Sequence, residues 1–225
     1  SSKFADQNGF TAVWTPERHF HAFGVLYPNP SLTAAALSMI TEKVQLRAGS
    51  CVLPLHDPVR IAEEWAVVDN LSKGRASIAF ASGWTVDDFV LAKDSHANRK
   101  ANMWKGVDVV RKLWKGEAVE RQDANGKSFT IKTLPKPIQA ELPIWMTCQS
   151  NETFMEAGKI GTNVLTSLLT GTLDDIVPKI KLYRKQREKH GHDPESGKVS
   201  LMIHTFLGDD INTVKEKVRR PFCNY

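Results

Sequence analysis

The chain has 225 residues, of which 41% are hydrophobic and 24% are charged, and its formal net charge is +5. These values are ordinary for a globular protein with one large domain or two small ones. The sequence contains no run of about 18 apolar residues, so it predicts no membrane span. It also does not open with the basic and apolar segments of a secretory signal.

The cysteines and the basic residues indicate where the protein works and what it does not bind. Cys51, Cys148 and Cys223 are far apart and fit neither a zinc spacing nor a disulfide framework, which favours a reducing, cytoplasmic compartment. Much of the positive charge lies in KIKLYRKQREKHG, residues 179–191. We interpret this run as the solvated face of a surface helix, so we expect no nucleic-acid partner.

Short apolar runs alternate with helical patterns along the chain. A helix already under way is expected in SSKFADQNGF, and Asn29 with Pro30 marks the start of the next helix. The predicted strands are TAVW (11–14), VQLRAGSCVL (44–53), ASIAFAS (76–82), PIWMTC (143–148), NVLTSLL (163–169) and VSLMIHTFLG (199–208). The predicted helices cover residues 29–40, 56–72, 98–116, 152–161, 173–191 and 210–220.

One segment interrupts this alternation. Residues 117–137 have alternating polar stretches on either side of Asn125-Gly126. An Asn-Gly pair between such stretches is typical of a tight turn, so we predict a small inserted β-hairpin.

Six apolar strands separated by helices predict a parallel sheet covered by helices. Two architectures satisfy this pattern, a doubly wound open sheet and a (β/α)8 barrel. No G-x-G-x-x-G follows the first strand, which weakens a dinucleotide-binding domain of the first kind. Six units with one missing at each end would complete a barrel of about 250 residues.

Polar and small residues follow four of the predicted strands. In both architectures ligands bind at the carboxyl ends of the strands. TPERHFHAFG follows the first strand, AGS lies near the end of the second, ASGW ends the third and TCQSNET follows the fourth. We therefore expect a ligand site along this edge of the sheet.

The stretch QSNETF indicates an anion site at the start of a helix. Ser150 or Asn151 can cap that helix, and the hydroxyls of Ser150 and Thr153 join the exposed N–H groups of its first turn. The anion would be a phosphate; an ordinary N-cap is the alternative reading.

Other kinds of site have little support in the sequence. Ser82 lies at a strand end without the G-x-S-x-G elbow of a hydrolase. We expect no metal site, since His56-Asp57 reads as the start of a helix and HGHD, residues 190–193, as a polar loop.

Several stretches resemble one family, and they occur in the same order over nearly the whole chain. AVWTPERHFHAFG, AGSCVLPLHDPVRIAEEWAVVDNLSKGR, FASGW and SNETFMEAGKIGTNVLTSLL are similar to the luciferase-like flavin-dependent monooxygenases, the family of bacterial luciferase. The resemblance is greatest to members from secondary-metabolite gene clusters, some of which are domains of polyketide or nonribosomal-peptide synthases. It implies a single (β/α)8 barrel domain over residues 1–225, without the first strand and the last unit.

The resemblance also implies a cofactor and the residues that bind it. Reduced FMN would be a co-substrate at the carboxyl ends of the strands, with its phosphate at Ser150 and Thr153. Its isoalloxazine ring would lie against Gly49 and Ser50, which the family often joins by a non-prolyl cis peptide. The implied cofactor-binding residues are Gly49, Ser50, Ser82, Gly83, Trp84, Gln149, Ser150 and Thr153.

The implied catalytic residues are His19 and Arg18. Luciferase has Glu-His-His-Phe where this chain has Glu17-Arg18-His19-Phe20. His19 matches the second histidine and would move protons near the flavin. Arg18 replaces the catalytic first histidine, so luciferase's aldehyde chemistry is not implied, and we hypothesise that Arg18 holds an anionic group. Luciferase's reactive cysteine aligns with Ala81 here, and His21 has no assigned role.

The resemblance leaves three functions open and implies partners. The chain would be a monooxygenase, an oxidoreductase that uses FMN or a deazaflavin without oxygenation, or a non-catalytic flavin-binding scaffold. No nicotinamide-binding domain is visible, which suggests a separate flavin reductase. The substrate would be a small molecule or a carrier-protein-bound intermediate, and a homodimer would form through the helix at residues 57–72.

Overall fold

Six parallel strands form the central sheet of the computed structural model, which describes residues 1–20, 27–169 and 171–224. These strands are β1 Ala12–Thr15, β2 Gln45–Val52, β3 Ala76–Ala81, β6 Ile144–Thr147, β7 Asn163–Ser167 and β8 Val199–Met202. Their order in the sheet is β1-β2-β3-β6-β7-β8. The last strand is shorter than its apolar pattern predicts, and residues 203–208 lie outside the sheet. His21 falls outside the described residues.

Helices connect these strands and cover the outer face of the sheet. Asn29 caps the helix that begins at Pro30 through its side chain, as predicted, and Asp57 caps the helix that begins at Pro58. The sequence did not predict three short 3-10 helices, Leu53–Leu55, Asp87–Leu91 and Lys93–Ser95, because single turns have no helical periodicity to detect. The α-helices are α1 Ser2–Gln7, α2 Pro30–Ser38, α3 Pro58–Leu71, α4 Arg99–Trp114, α5 Asn151–Lys159, α6 Leu173–Lys189 and α7 Ile211–Cys223.

A separate two-stranded sheet lies between α4 and β6. Its strands β4, Val119–Gln122, and β5, Ser128–Ile131, pair in antiparallel fashion. In the turn between them, the Asp123 carboxylate accepts hydrogen bonds from the backbone N–H groups of Asn125 and Lys127, both at 2.9 Å.

The six-stranded sheet is strongly curved. The rings of Trp14 on β1 and Trp145 on β6 have centroids 5.3 Å apart, although β2 and β3 lie between these strands. Three strand spacings in a flat sheet would separate them by about 14 Å. The Arg47 guanidinium lies between the two rings, 4.9 Å from Trp14 and 4.6 Å from Trp145. Side chains thus converge on a concave face, and the described strands form a half-barrel rather than a doubly wound open sheet.

Close contact between α5 and α6 fixes the position of the helix that follows β6. Gly158 makes this contact possible, because a Cβ atom there would lie only 2.4 Å from the Tyr183 carbonyl oxygen. Phe154 and Tyr183 are fully buried beside it. The amino terminus of α5 is therefore held at the carboxyl end of β6.

Two arginines of the basic run have a structural role, which corrects its interpretation as a solvated face. Arg187 is 5% exposed and donates hydrogen bonds to the Asp193 carbonyl oxygen at 2.8 Å and to Ser196 Oγ at 2.9 Å. Arg184 donates to the Gly197 carbonyl oxygen at 2.8 Å. The loop after α6 folds back over these arginines, and its backbone acceptors cannot be recognised in a charge pattern.

Cys51 and Cys148 are buried, Cys223 is exposed, and all three are free thiols. Over the described ranges, none of the helices is both long enough and apolar enough to cross a bilayer.

Candidate active site

The loops that follow β1, β2, β3 and β6 lie along one edge of the half-barrel. Parallel strands end at the same edge of a sheet, and here the sheet order brings these four strands side by side. Every residue predicted from the sequence to bind the cofactor or to act in catalysis lies at this edge. These residues are Arg18, His19, Gly49, Ser50, Ser82, Gly83, Trp84, Gln149, Ser150 and Thr153.

A buried carboxylate organises the loops after β1 and β2. Glu17 Oε2 accepts a hydrogen bond from the Val52 backbone N–H at 2.7 Å. Its other oxygen, Oε1, lies 2.9 Å from His19 Nε2 and 2.6 Å from His56 Nε2. Because an ionised carboxylate only accepts hydrogen bonds, both imidazoles donate through their Nε2–H groups.

The charges of this cluster stabilise one another. Burial alone would raise the pKa of Glu17, but hydrogen bonds from His19, His56 and Val52 and the charge of His56 outweigh it, so the pKa is lowered. The hydrogen bond to Glu17 raises the pKa of His19 despite some desolvation, and the charge of Asp88 adds to this effect. Glu17 is therefore an anion at neutral pH, and it favours a protonated His19.

Cys51 lies beside this cluster, but its thiol is not a ready ligand. Within the ranges that the structure describes, Glu17, Cys51 and His56 place potential donor atoms within 4.8 Å of one another. Burial raises the pKa of Cys51 well above its usual range, and the charges of Glu17 and Glu64 raise it further. A metal would need the thiolate, and both Glu17 oxygens already accept N–H donors, so hydrogen bonding accounts for the cluster. The expectation of no metal site stays a prediction.

Arg18 connects the loops after β1 and β3. Its guanidinium lies 5.8 Å from the centre of the Trp84 ring, and its backbone N–H donates to the Tyr27 carbonyl oxygen at 2.8 Å. Trp84 is 79% exposed, so one face of this aromatic side chain borders the open edge of the site. The neighbouring Gly83 has φ +81°, and a Cβ atom there would lie 2.9 Å from the Phe89 ring. Only glycine satisfies both conditions at this strand end.

The floor of the site is formed by the end of β2. The peptide bond between Gly49 and Ser50 is cis, as the family resemblance implied. A Cβ atom at Gly49 would lie 2.9 Å from Cε3 of Trp14, so the ring covers this position closely. The hydroxyls of Ser50 and Thr147 are 2.5 Å apart and connect β2 with β6 across the concave face.

The first turn of α5 presents hydrogen-bond donors at the end of β6. Ser150 is the N-cap, and its Oγ accepts from the Thr153 backbone N–H at 3.3 Å. Thr153 Oγ1 accepts in return from the Ser150 backbone N–H at 3.2 Å. The next two amides, of Asn151 and Glu152, have no acceptor within the helix because of their position in its first turn. The Thr153 hydroxyl itself donates to the Ser150 carbonyl oxygen at 2.9 Å. This region therefore offers the Ser150 hydroxyl and two backbone amides to an anion, with the Thr153 hydroxyl holding the turn in place.

Gln149 and two lysines surround that helix start. Gln149 Nε2 donates to Ser167 Oγ at 2.8 Å, and Lys179 Nζ donates to the Gln149 carbonyl oxygen at 2.8 Å. The exposed Glu152 pairs with Lys100 at 3.5 Å, which offsets its negative charge. Ser150 and Thr153 thus bond to each other, whereas Gln149 bonds to Ser167 on β7 and to Lys179 on α6.

The sequence did not predict the roles of Glu17 and His56. His56-Asp57 was interpreted as the start of a helix. That interpretation is confirmed for Asp57, which is the N-cap of α3, but it gave no role to His56. A signal was present in Glu17, an acidic residue two positions before His19 at a strand end. The other histidine motif is structural, since His190 Nδ1 lies 2.9 Å from the Gln186 carbonyl oxygen and His192 Nε2 lies 3.1 Å from that of Lys159.

A curved parallel sheet covered by helices, with polar side chains at the carboxyl ends of its strands, defines the barrel class of (β/α) proteins. Within that class, the chain belongs to the luciferase-like monooxygenases, whose family model matches residues 1–225. The chain is 29% identical over 218 residues to the alkanal monooxygenase alpha chain of Photorhabdus luminescens, covering 96% of this chain and 60% of that protein. It is 30% identical over 217 residues to the oxygenase component of flavin-dependent trigonelline monooxygenase from Acinetobacter baylyi, covering 92% and 58%.

Solved structures share the fold. The monooxygenase RslO1 from Streptomyces bottropensis superposes with a TM-score of 0.88 at 25% identity, covering 97% of this chain and 67% of that one. The oxygenating constituent of 3,6-diketocamphane monooxygenase from Pseudomonas putida, solved with FMN, has a TM-score of 0.85 at 17% identity, covering 99% and 66%. An F420-dependent secondary alcohol dehydrogenase has a TM-score of 0.76 at 21% identity, covering 97% and 67%.

Proposed function

We propose that this protein is an FMN-dependent monooxygenase that uses reduced flavin and O2 to oxygenate an organic substrate. The observation that carries the proposal is the donor set at the first turn of α5, at the same edge of a luciferase-like barrel as the Glu17–His19 pair. The chain spans about 60% of the length of the relatives it matches, so the activity of the whole protein is part of the proposal.

The residues at the start of α5 fit a flavin phosphate. The hydroxyl of Ser150 and the amides of Asn151 and Glu152 are donors at the positive end of a helix dipole, and a bound phosphate could also attract the Thr153 hydroxyl away from the Ser150 carbonyl oxygen. Lys179 adds a positive charge next to Gln149. A phosphate dianion would gain hydrogen bonds here without burying an uncompensated charge.

The floor of the site fits the edge or face of a flat ring system. Gly49 has no side chain and is covered by the Trp14 ring, and the Ser50 hydroxyl bonds to that of Thr147. Gly83 likewise adds no side chain at the end of β3, where the Phe89 ring packs against its backbone. These positions would hold the isoalloxazine ring, with Ser82 and Trp84 beside it.

Bound reduced FMN would supply the electrons that activate O2 for insertion into the substrate. The protein's part is to manage protons and to limit access of water. Glu17 accepts a hydrogen bond from the Nε2–H of His19, which leaves His19 Nδ1 as the nitrogen that gives or accepts a proton. The Arg18–Trp84 contact joins two loops over the edge of the site and places a positive charge there for an anionic group.

We expect FMN and reduced FMN to bind the complete protein and coenzyme F420 to compete weakly. Anaerobic absorbance and fluorescence titrations measure the flavins, and displacement of FMN by F420 measures the competitor. Failure of both flavin forms to bind would contradict the proposal. Preferential binding of F420 would favour the alternative, an oxidoreductase that transfers hydride without oxygenation, which the shared fold of the alcohol dehydrogenase suggests. FMN binding without product from any candidate substrate would favour a scaffold.

The proposal also includes the source of the reduced flavin and the class of substrate. The trigonelline monooxygenase relative is named as an oxygenase component, which supports a separate reductase for this protein. The resemblance of the sequence motifs to members from secondary-metabolite clusters supports a role in natural-product biosynthesis. A substrate presented on a carrier protein is one form of this role, and assays with free and carrier-bound substrates distinguish the two.

We also propose that the protein forms a homodimer through α3. Val67 and Leu71 on this helix are 43% and 44% exposed although both are large and apolar, and such side chains favour contact with another protein surface. Sedimentation equilibrium should give the dimer mass for the parent and the monomer mass for Val67→Lys with Leu71→Lys. The matched change Val177→Lys on the exposed side of α6 should leave the mass unchanged. A monomeric parent would contradict the proposal.

A further inference from the structure

Two histidines from different loops share one oxygen of Glu17. His19 belongs to the loop after β1, whereas His56 precedes Asp57, the N-cap of α3. Both Nε2 atoms lie within hydrogen-bond distance of Glu17 Oε1, at 2.9 Å and 2.6 Å. We propose that His56 is a positioning residue of this site, which shares Glu17 Oε1 with His19 and thereby sets the tautomer and the charge that His19 presents. The catalytic meaning of this arrangement rests on the proposed function; the arrangement itself does not.

The geometry determines which nitrogen of each ring carries a hydrogen. The Glu17 side chain is fully buried, and its other oxygen accepts from the Val52 N–H. Water therefore cannot satisfy Oε1, and the two imidazoles are its donors. Each ring must keep a hydrogen on Nε2 to fill this role, so the Nδ1 atoms of both rings remain for other partners.

The shared oxygen also couples the charges of the two rings. One carboxylate compensates one imidazolium, and no further anion of the described residues is in direct contact with the two rings. A second proton would therefore place a like charge next to the first. Among the described residues, Asp88 acts on His19, Asp57 follows His56 in the chain, and Cys51, whose thiol stays protonated because of its burial, is acted on by Glu17 and Glu64. Arg18 adds a permanent positive charge on the adjacent residue. Binding of a proton by either histidine should therefore weaken binding of a proton by the other.

A purely structural role for His56 predicts something different. In that case the hydrogen bond to Glu17 would only anchor the loop before α3, and its replacement by another donor would leave His19 unaffected. Glutamine separates the two possibilities, because its side-chain amide can donate to Glu17 but cannot take up a proton at these pH values. His56→Gln and His19→Gln thus keep a donor and remove the charge.

The test is a histidine-selective NMR titration of the flavin-free full chain and both glutamine variants. We expect the neutral rings of His19 and His56 in the parent to show ¹⁵N shifts of the Nε2–H tautomer. We also expect the sum of their two pKa values to be lower than the sum from the two variants by at least about one unit, a tenfold loss of proton affinity. Equal sums, or Nδ1–H tautomers in the parent, would overturn the proposal.

Two controls make the outcome specific. His192→Gln removes a histidine that contacts the Lys159 carbonyl oxygen and is not part of the Glu17 cluster. This change should alter the titration of neither His19 nor His56. His56→Asn and His19→Asn provide a second cycle if a glutamine variant fails to fold, which circular dichroism establishes beforehand. Since no flavin is present, coupled titration in a protein that fails to bind FMN would leave this inference standing and remove only the proposed function.

Discussion

Replacement of Glu17 by alanine should destabilise the protein by about 3–5 kcal/mol near pH 6, the range measured when one partner of a buried ion pair is removed. The change leaves the N–H of Val52 and the Nε2–H groups of His19 and His56 without their acceptor in a buried region. It also leaves a small cavity. Urea unfolding of parent and variant, compared at unchanged m values, measures the difference.

The stability that Glu17 contributes should depend on pH. Glu17→Gln measures this dependence, because it removes the charge with little change in side-chain volume. The folded pKa of Glu17 is lowered, so its contribution is present above the ordinary value of 4.5 and is lost as the pH falls through the folded value. The folded pKa of His19 is raised, so its contribution is present below the ordinary value of 6.5 and is lost as the pH rises through the folded value. The stability difference between parent and variant should therefore be largest between pH 4.5 and 6.5.

A matched control is available at an exposed glutamate. Glu152 pairs with Lys100 at 3.5 Å at the surface, where such a pair contributes less than about 1 kcal/mol. Glu152→Gln should therefore change the unfolding free energy little at any pH in this range. A difference for Glu17→Gln that is flat from pH 4 to 8, or as small as that for Glu152→Gln, would contradict the ionic role of Glu17.

Replacement of Ser150 by aspartate should abolish the preference for FMN over riboflavin while leaving the fold intact. Aspartate caps helices as well as serine does and interacts favourably with the helix dipole, so stability should stay the same or rise. Its charge would repel a phosphate bound at the first turn of α5. We expect FMN affinity to fall by at least about 100-fold, equivalent to about 2.7 kcal/mol, and riboflavin affinity to change little. Fluorescence titration with both flavins measures the two affinities.

Two further variants isolate the cause of this effect. Thr172→Asp makes the corresponding change at the N-cap of α6 and should leave both flavin affinities unchanged. Ser150→Ala removes the cap without adding charge, and it should cost about 1 kcal/mol of stability with a smaller loss of FMN affinity. FMN binding by Ser150→Asp that equals the parent's would remove Ser150 and Thr153 as phosphate ligands. An equal loss of riboflavin would instead indicate damage to the ring site.

Features that depend on neighbours in the sequence could be predicted. Asn29-Pro30 marked the start of α2 because an N-cap requires only a polar side chain before the first turn and a compatible residue after it. The six strands were recognisable because apolar runs of this length are buried in any parallel sheet. The cis bond at Gly49–Ser50 was found through the family resemblance, since no local pattern indicates it.

The particular contacts of the site depended on the tertiary structure. His56 and Glu17 are 39 positions apart, and their hydrogen bond exists because β1 and β2 are neighbours whose loops turn toward the same edge. Trp14, Arg47 and Trp145 meet only because the sheet curves through three strand spacings. Arg187 was likewise predicted to face solvent from its place in a basic run, but the loop after α6 covers it in the structure.

The sequence by itself determined the alternation of strands and helices, the helix starts and the edge of the sheet at which polar residues collect, since each of these follows from periodicity or from residues a few positions apart. The residue pattern left an open sheet and a barrel possible, the family resemblance implied the barrel, and the tertiary structure shows the curvature of a half-barrel. The tertiary structure alone decided that a buried Glu17 joins two histidines. Curvature and burial arise from the packing of the whole chain, and only burial leaves a carboxylate with no water to satisfy it, so that its partners must come from distant residues.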